Sequence, residues 1–287
     1  MKKSMKTIAL MAILIFIVGV FVGCGSEATQ SGKVVRKTTI EQIKERGKIR
    51  IAVFSDKPPF GFVDANGKNQ GYDVYFGKRI AKDLLGDEDK VEFVLVEATS
   101  RVEVLEADKV DITLANFTVT PQRKEKVDFA NPYMKVALGI VSPNGQLISN
   151  IDELKGKRLI VNKGTTAETY FTKNYPDIEL LKYDQNTEAF QALKDGRGAA
   201  LAHDNTLLFA WARENQGYTV GVSKLGDIDT IAPAVKKGNT ELLEWLNQEI
   251  TKLGDVKFFH QNFEATLKPS YGDSVNPEDV VVEYGVL

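Results

Sequence analysis

Short apolar runs alternate along the chain with segments whose apolar residues recur at helical spacing. In the segment Asp73–Leu85, the residues Val74, Phe76, Ile80 and Leu84 share one face, which predicts an amphipathic helix. Runs rich in β-branched and aromatic residues flank this segment and predict strands. They are Ile49–Phe54, Val91–Val96 and Asp111–Ala115. This alternation indicates an α/β protein with largely parallel sheets.

A second block of the chain repeats the alternation. Its predicted elements are the strands Leu159–Asn162, Ile178–Tyr183 and Ala199–His203 and the helices Thr166–Asn174, Thr187–Lys194 and Thr206–Arg213. The apolar runs Met134–Val141 and Ile231–Val235 stand at its borders, and Thr240–Tyr271 is predicted to be helical. Two lobes joined by two crossing segments fit this order. Two tandem domains are the alternative that the pattern leaves open.

The first 23 residues differ from the rest of the chain. Three lysines come first, and the run from Thr7 to Gly23 then carries no charge and ends in small residues. This is the pattern of a secretory signal peptide, and the apolar run is too short to favour a transmembrane helix. We therefore expect the body of the protein to be exported.

Cys24, the only cysteine, directly follows this signal. The sequence Phe21-Val22-Gly23-Cys24 resembles the lipobox of bacterial lipoproteins, in which the cysteine becomes the acylated first residue of the mature chain. An ordinary signal peptide with an incidental cysteine is the alternative. Lipidation would leave no free thiol, which excludes disulfides, thiolate catalysis and cysteine–metal sites. Residues 24–37 are small and polar and are predicted to form a tether.

Charge and motif content exclude several classes of function. The chain has 37 basic and 39 acidic residues, which removes any strong electrostatic case for nucleic acid binding. His203 and His260 are the only histidines, so no histidine-rich metal motif is present. The nucleophile-elbow, P-loop and dinucleotide-binding motifs are also absent. We expect no cofactor, no metal and no enzymatic activity.

The segment Ala115–Arg123 carries the clearest candidate chemistry, because a predicted strand ends there and a helix begins. Thr120 fits the N-cap position and Pro121 the first helical position. Free backbone N–H groups, the hydroxyls of Thr118 and Thr120 and the guanidinium of Arg123 would then converge on one point. Such a cluster suits a carboxylate. A capped helix with a surface arginine is the plainer alternative.

A set of motifs then makes the sequence recognisable. They are Pro58-Pro59-Phe60-Gly61-Phe62, Gly71-Tyr72-Asp73-Val74, Lys109-Val110-Asp111, Thr118-Val119-Thr120-Pro121-Gln122-Arg123, Val127-Asp128-Phe129-Ala130-Asn131-Pro132-Tyr133 and Lys163-Gly164-Thr165-Thr166. Together they resemble the family 3 extracellular solute-binding proteins of polar-amino-acid ABC importers. The resemblance implies a two-lobed α/β fold, the periplasmic-binding-protein type II fold, with two hinge strands and the ligand in the cleft. The implied boundaries are a lipoprotein signal peptide at 1–23, a tether at 24–37, a first lobe at 38–137 plus 236–287 and a second lobe at 138–235.

The resemblance also implies the residues that bind the ligand's α-carboxylate. Thr118, Thr120 and Arg123 would bind it from the first lobe, and Thr165 and Thr166 would close on it from the second. Plain helix capping is the alternative for Thr165 and Thr166, and it is compatible with a ligand role.

Four further ligand contacts follow from the resemblance. Asp204 would accept the α-ammonium, with the carbonyl of Asn116 as a second acceptor, and an N-cap is the alternative for Asp204. Phe60, or else Phe62, would cover the ligand as an aromatic lid. Arg101 would neutralise an acidic side chain of the ligand, or form a salt bridge within the first lobe.

The chain departs from the common family pattern at two places. Lys57 stands where many relatives have an aromatic residue, and Asn116-Phe117 stands where Gly-Met is common. The overall combination is most similar to the cysteine-binding lipoprotein branch, so cysteine is the first expected ligand. Glutamate or aspartate is the second, with Arg101 or Lys57 as the neutralising cation. A cyclohexadienyl dehydratase-like enzyme and an extracellular adhesin or sensing subunit are the alternatives from other classes.

The expected partners and location follow from the same resemblance. They are a small-molecule L-amino acid, the permease subunits of an ABC transporter, and a bacterial membrane held through the lipid anchor on the extracytoplasmic side. We expect the protein to be a monomer.

Overall fold

The computed structural model describes residues 39–287, so the predicted signal peptide, Cys24 and residues 24–37 of the tether lie outside the described residues. The strands are β1 (Ile49–Phe54), β2 (Asp56–Lys57), β3 (Gly61–Val63), β4 (Asn69–Gln70), β5 (Val91–Val96), β6 (Ile112–Thr113), β7 (Val127–Phe129), β8 (Met134–Pro143), β9 (Arg158–Asn162), β10 (Glu179–Tyr183), β11 (Ala200–Asp204), β12 (Tyr218–Ile231) and β13 (Ala234–Lys236). The helices are α1 (Thr39–Arg46), α2 (Tyr72–Leu85), α3 (Glu103–Glu106), α4 (Pro121–Lys124), α5 (Thr166–Asn174), α6 (Asn186–Lys194), α7 (Asn205–Glu214), α8 (Thr240–Asp255), α9 (Phe258–Asn262), α10 (Lys268–Tyr271) and α11 (Pro277–Val280).

The first sheet has five strands in the order β5-β1-β6-β13-β7. Its central strand pairs are parallel, β1 with β5 and β1 with β6, whereas β13 runs antiparallel to β6 and β7. The apolar face of α2 is buried, with Phe76 and Ile80 fully inaccessible to solvent. We call this sheet, with the elements packed on it and the small sheet β2-β3-β4, the first lobe.

The second sheet has the order β10-β9-β11-β8-β12. Here β9 runs parallel to β10 and β11, and β8 runs antiparallel to β11 and β12. Leu159, Val161 and Ala202 lie in its core with Phe171 of α5. We call this sheet and its helices the second lobe. The two-lobed α/β fold expected from the sequence is therefore confirmed.

The strands β8 and β12 connect the lobes. At the first-lobe end, Met134 pairs with Ile231, which also bridges Thr118, and Met134 bridges Val281 of the C-terminal segment. The exact lobe boundaries stay a prediction, because both strands continue from one lobe into the other. Within residues 39–287, none of the helices has the length and apolar character needed to cross a membrane.

The apolar run Ile231–Val235 contains the end of β12 at Ile231 and the start of β13 after Pro233, which has no N–H for a ladder. Two sequence predictions need correction. The predicted strand Asp111–Ala115 is reduced to β6, because Ala115 and Asn116 adopt positive φ angles of 37° and 43°. The helical region Thr240–Tyr271 is divided into α8, α9, a π-helical turn and α10.

Candidate ligand-binding site

Arg123 lies in the first turn of α4, where the sequence places it. Thr120 is the N-cap, and its Oγ1 accepts a hydrogen bond from the backbone N–H of Arg123 at 3.2 Å, as predicted. The guanidinium donates to the carbonyls of Thr118 at 2.6 Å and Gly164 at 2.9 Å. A guanidinium has five N–H donors, so within the described residues three remain for a ligand. Burial lowers the pKa of Arg123 to about 10, which leaves it charged at neutral pH.

Arg101 is 3% exposed and donates to backbone carbonyls. Its Nε donates to Ala98 at 3.1 Å, its Nη1 to Ala115 at 3.2 Å and Asn116 at 3.3 Å, and its Nη2 to Gly164 at 3.0 Å. Four of its five donors are thus used. Its hydrogen-bond partners among residues 39–287 are carbonyls and not carboxylates, so the salt-bridge interpretation is wrong for this part of the chain. Burial, reinforced by Arg123, lowers the pKa of Arg101.

The ring of Phe117 supports both guanidinium groups. It lies 4.6 Å from the guanidinium carbon of Arg101 and 4.7 Å from that of Arg123. An aromatic face attracts cations, and it offsets part of the repulsion between two neighbouring positive charges. Phe117, which stands where methionine is common in the family pattern, therefore packs against both arginines.

The loop before α5 meets these arginines from the second lobe. The carbonyl of Gly164 accepts from both guanidinium groups, while its N–H donates to the Glu168 carboxylate at 2.7 Å. Thr165 caps α5, because its Oγ1 accepts from the N–H of Glu168 at 3.3 Å, and it also donates to the Asn162 carbonyl at 2.6 Å. Thr166 is the first helical residue and is partly buried. The capping interpretation is confirmed for Thr165 only, and the ligand role of Thr165 and Thr166 stays a prediction.

Asp204 ends β11 and is buried, with 4% of its surface exposed. Its Oδ2 accepts from the Lys57 ammonium at 2.7 Å and lies 3.5 Å from Nδ1 of His203. Asp204 occupies the N-cap position of α7, as the alternative expected, but its side chain makes no capping hydrogen bond to that helix. Burial acts to raise the pKa of Asp204, but the charge of Lys57 outweighs it and holds the pKa well below its ordinary value. Asp204 is therefore an ionised carboxylate.

Asn116 and Phe60 face the same lysine. The side-chain carbonyl of Asn116 accepts from Lys57 Nζ at 2.7 Å, while its backbone carbonyl accepts from Arg101. Phe60 is fully buried in the main apolar core, with its ring centre 5.8 Å from Lys57 Nζ. Phe60 thus borders the ammonium of Lys57 and also packs in the protein core.

Asp73 holds the backbone of Asn116 in place. It was not selected as a site residue from the sequence. It is fully buried on α2, where Oδ2 accepts from the N–H of Asn116 at 2.6 Å and Oδ1 accepts from the Tyr133 hydroxyl at 2.7 Å. Burial raises the pKa of Asp73 to about 6, against the opposing effect of these two donors. The sequence signal was an acidic residue on the buried, apolar face of a helix.

Asp56 provides a further contact between the lobes. Its Oδ2 accepts from the backbone N–H groups of Asn186 at 2.7 Å and Thr187 at 3.2 Å, which begin α6. A carboxylate is stabilised at a helix N-terminus by the free N–H groups and the helix dipole. The neighbours Asp56 and Lys57 thus bind the second lobe with opposite charges.

The site therefore places a guanidinium and a carboxylate on opposite lobes. Arg123 offers unused donors to an anion from the first lobe, and Asp204 is an ionised acceptor on the second. A zwitterion presents the complementary pair of charges. Within residues 39–287, no cluster of three or more His, Cys, Asp or Glu side chains is arranged to hold a metal ion.

A family model described as bacterial extracellular solute-binding proteins, family 3, matches residues 49–258. The chain belongs to this family. The family predicted from the motifs is thus confirmed, and the protein is an amino-acid-binding solute-binding protein.

Two solved structures are similar to this protein over most of the chain. One is the solute receptor for L-cysteine of Neisseria gonorrhoeae, at 58% identity and a TM-score of 0.84, which covers 86% of this chain and 100% of that one. The other is the cysteine-binding protein from Campylobacter jejuni, at 58% identity and a TM-score of 0.85, with the same coverage. The ABC transporter glutamine-binding protein GlnH of Bacillus subtilis is 32% identical over 252 residues, which is 86% of this chain and 92% of GlnH.

Proposed function

We propose that this solute-binding protein takes up L-cysteine in the cleft between its lobes and delivers it to the membrane subunits of an ABC importer. The observation that carries the proposal is the pair of opposite charges across the cleft, the partly satisfied guanidinium of Arg123 and the ionised carboxylate of Asp204. The first would bind the α-carboxylate, and the second would accept the α-ammonium.

Two observations favour cysteine over a dicarboxylic amino acid. The two solved structures that are 58% identical are cysteine-binding proteins. A glutamate or aspartate ligand would need a second cation, because an unpaired buried carboxylate is costly. Arg101 uses four donors on carbonyls, and the ammonium of Lys57 already contacts Asp204. The thiol of cysteine needs no second cation, because it packs as a small apolar group.

We further propose that Cys24 carries a lipid anchor that holds the protein as a monomer at the extracytoplasmic face of a bacterial membrane. The lipobox-like sequence and the extracellular character of the family support this location. The importer would recognise the form in which both lobes contact the ligand, because only that form presents both surfaces together.

An enzymatic role is disfavoured by the charge state of the cleft. A dehydratase would need a carboxylic acid poised to donate a proton to a leaving hydroxyl. Lys57 keeps Asp204 ionised, and Asp73 is occupied by two hydrogen bonds beneath the site. We therefore propose binding without chemistry.

The test is isothermal calorimetry of the mature protein with the twenty amino acids under reducing conditions. We expect cysteine to bind most tightly and serine much more weakly. Tight binding of glutamate with no response to cysteine would contradict the proposal. Turnover of a cyclohexadienyl substrate would support the enzyme alternative.

A further inference from the structure

Lys57 has an unusual environment for a lysine, since only 1% of its surface is exposed. Its ammonium lies 2.7 Å from Asp204 Oδ2 and 2.7 Å from Asn116 Oδ1. The ring centres of Phe54 and Phe60 lie 5.3 Å and 5.8 Å from Nζ. Two oxygens and two aromatic faces thus surround the ammonium and fix its position. Burial lowers the pKa of Lys57, while the charge of Asp204 and its hydrogen bond oppose this and favour the ammonium form.

The carboxylates near this ammonium already have partners. Asp204 contacts Lys57 directly, and Asp73 accepts from Tyr133 and Asn116. Other charged or titratable groups that act on this region are Arg101, Arg123, His203 and the partly buried Asp229. Burial, together with the charge of Lys57, lowers the pKa of His203 and favours its neutral form. Asp229 acts on Arg123.

Within residues 39–287, the two carboxylates that act on Lys57, Asp204 and Asp73, are therefore both occupied, and Asp229 acts on Arg123 instead. The α-ammonium of a bound amino acid would share Asp204 with Lys57, which a carboxylate with two oxygens allows. A cationic side chain on the ligand would add one more charge beside Lys57 and Arg101. A buried charge without a partner is strongly unfavourable, and a like charge nearby increases that cost.

We propose that Lys57 is a specificity-determining residue that excludes amino acids with cationic side chains from this site. The proposal rests on the proposed function only in that the cleft binds an amino acid. The identity of the preferred amino acid does not enter it. Lys57 thus has two effects on Asp204: it keeps the carboxylate ionised for the α-ammonium, and it prevents a second ligand cation from using it.

The test compares two ligands of matched length, homoserine and 2,4-diaminobutyrate, at neutral pH, where the second carries an additional positive charge. Each is measured by displacement of cysteine from the mature wild-type protein and from Lys57→Gln, which keeps a hydrogen-bonding side chain without the charge. In the wild type we expect diaminobutyrate to bind at least about tenfold more weakly than homoserine. In Lys57→Gln we expect this ratio to fall to about twofold or less. Lys68→Met is the matched control, since it removes an exposed lysine of the same lobe.

Several outcomes would overturn the proposal. A wild-type ratio near one would do so without any variant, even if Lys57→Gln failed to fold. So would a folded Lys57→Gln in which diaminobutyrate binding improves no more than homoserine binding, or in which neither ligand displaces cysteine. Failure of cysteine itself to bind the wild type would contradict the proposed ligand instead, and the same pair would then be tested against the amino acid that does bind.

Discussion

Arg123 and Gly164 join the two lobes through one hydrogen bond, in which the guanidinium donates to the backbone carbonyl at 2.9 Å. Arg101 donates to the same carbonyl at 3.0 Å. Two positive groups of the first lobe therefore converge on one uncharged acceptor of the second. Contact between the lobes at this point depends on how closely the backbone of Gly164 approaches Arg101 and Arg123.

Gly164→Ala should weaken ligand binding by preventing this approach. Gly164 has a φ of 70°, and an added Cβ would lie 2.9 Å from backbone atoms of Ala98 and Thr99. Gly196→Ala is a matched control, because Gly196 has a φ of 68° and open space around its Cβ position. Both variants should lose stability from the strained backbone, by about 1 kcal/mol. Calorimetry should show at least about a tenfold loss of affinity for Gly164→Ala alone, and equal affinities would contradict the closure argument.

Arg123→Ala should nearly abolish ligand binding while the protein remains folded. Removing one partner of a buried charge pair costs about 2–5 kcal/mol of binding free energy. Lys124→Ala is the control, since Lys124 is the exposed neighbour in the same short helix. Circular dichroism would confirm folding, and unchanged affinity of Arg123→Ala would remove it from the site.

Arg101→Met should affect folding more than the binding of cysteine. Four hydrogen bonds to buried or partly buried carbonyls would be lost, and each unsatisfied group costs about 1–3 kcal/mol. Chemical denaturation would measure the loss of stability, and calorimetry would measure affinity. If the natural ligand is glutamate or aspartate, Arg101→Met should be as damaging to binding as Arg123→Ala.

Asp204→Asn should weaken both binding and stability, for separable reasons. The variant removes the acceptor for the ligand's ammonium and also leaves the buried Lys57 ammonium without its counter-ion. In the double variant Lys57→Met/Asp204→Asn, both charges are gone, so the melting temperature should recover while binding does not. Recovery of binding in the double variant would argue against the role of Asp204 in holding the ammonium.

Asp73 should make the stability of the protein depend on pH. Its pKa of about 6 in the folded protein lies above its ordinary value of 3.8, so folding favours the protonated form. Its contribution to stability is therefore present at low pH and is lost as the pH rises through about 6. Relative to Asp73→Asn, the wild type should gain about 2 kcal/mol in unfolding free energy between about pH 7 and pH 4. Denaturant titrations at both pH values measure this difference, and a gain in the opposite direction would show that hydrogen bonding outweighs burial.

Local sequence determined much of this protein. The apolar runs located β1 and β5 at their observed bounds. An inner strand of a parallel sheet buries a continuous apolar segment, as β1 does, whereas β5 lies at the sheet edge and is only partly buried. The sequence Thr120-Pro121 specified the start of α4, since a threonine cap and a proline at the first helical position act within a single turn. The family motifs identified the solute-binding family before any contact was known.

Tertiary structure decided how the candidate residues are used. β12 has few buried residues and becomes a strand through its pairing with β8. Lys57 and Asp204 are 147 positions apart, and no local preference predicts their ion pair. Arg101 and Arg123 are the same residue type, and the sequence does not distinguish their roles. In the structure Arg101 donates four hydrogen bonds to carbonyls, whereas Arg123 donates two and retains three donors for a ligand. That difference depends on which backbone groups lie within hydrogen-bonding distance, and only the packing of the two lobes determines it.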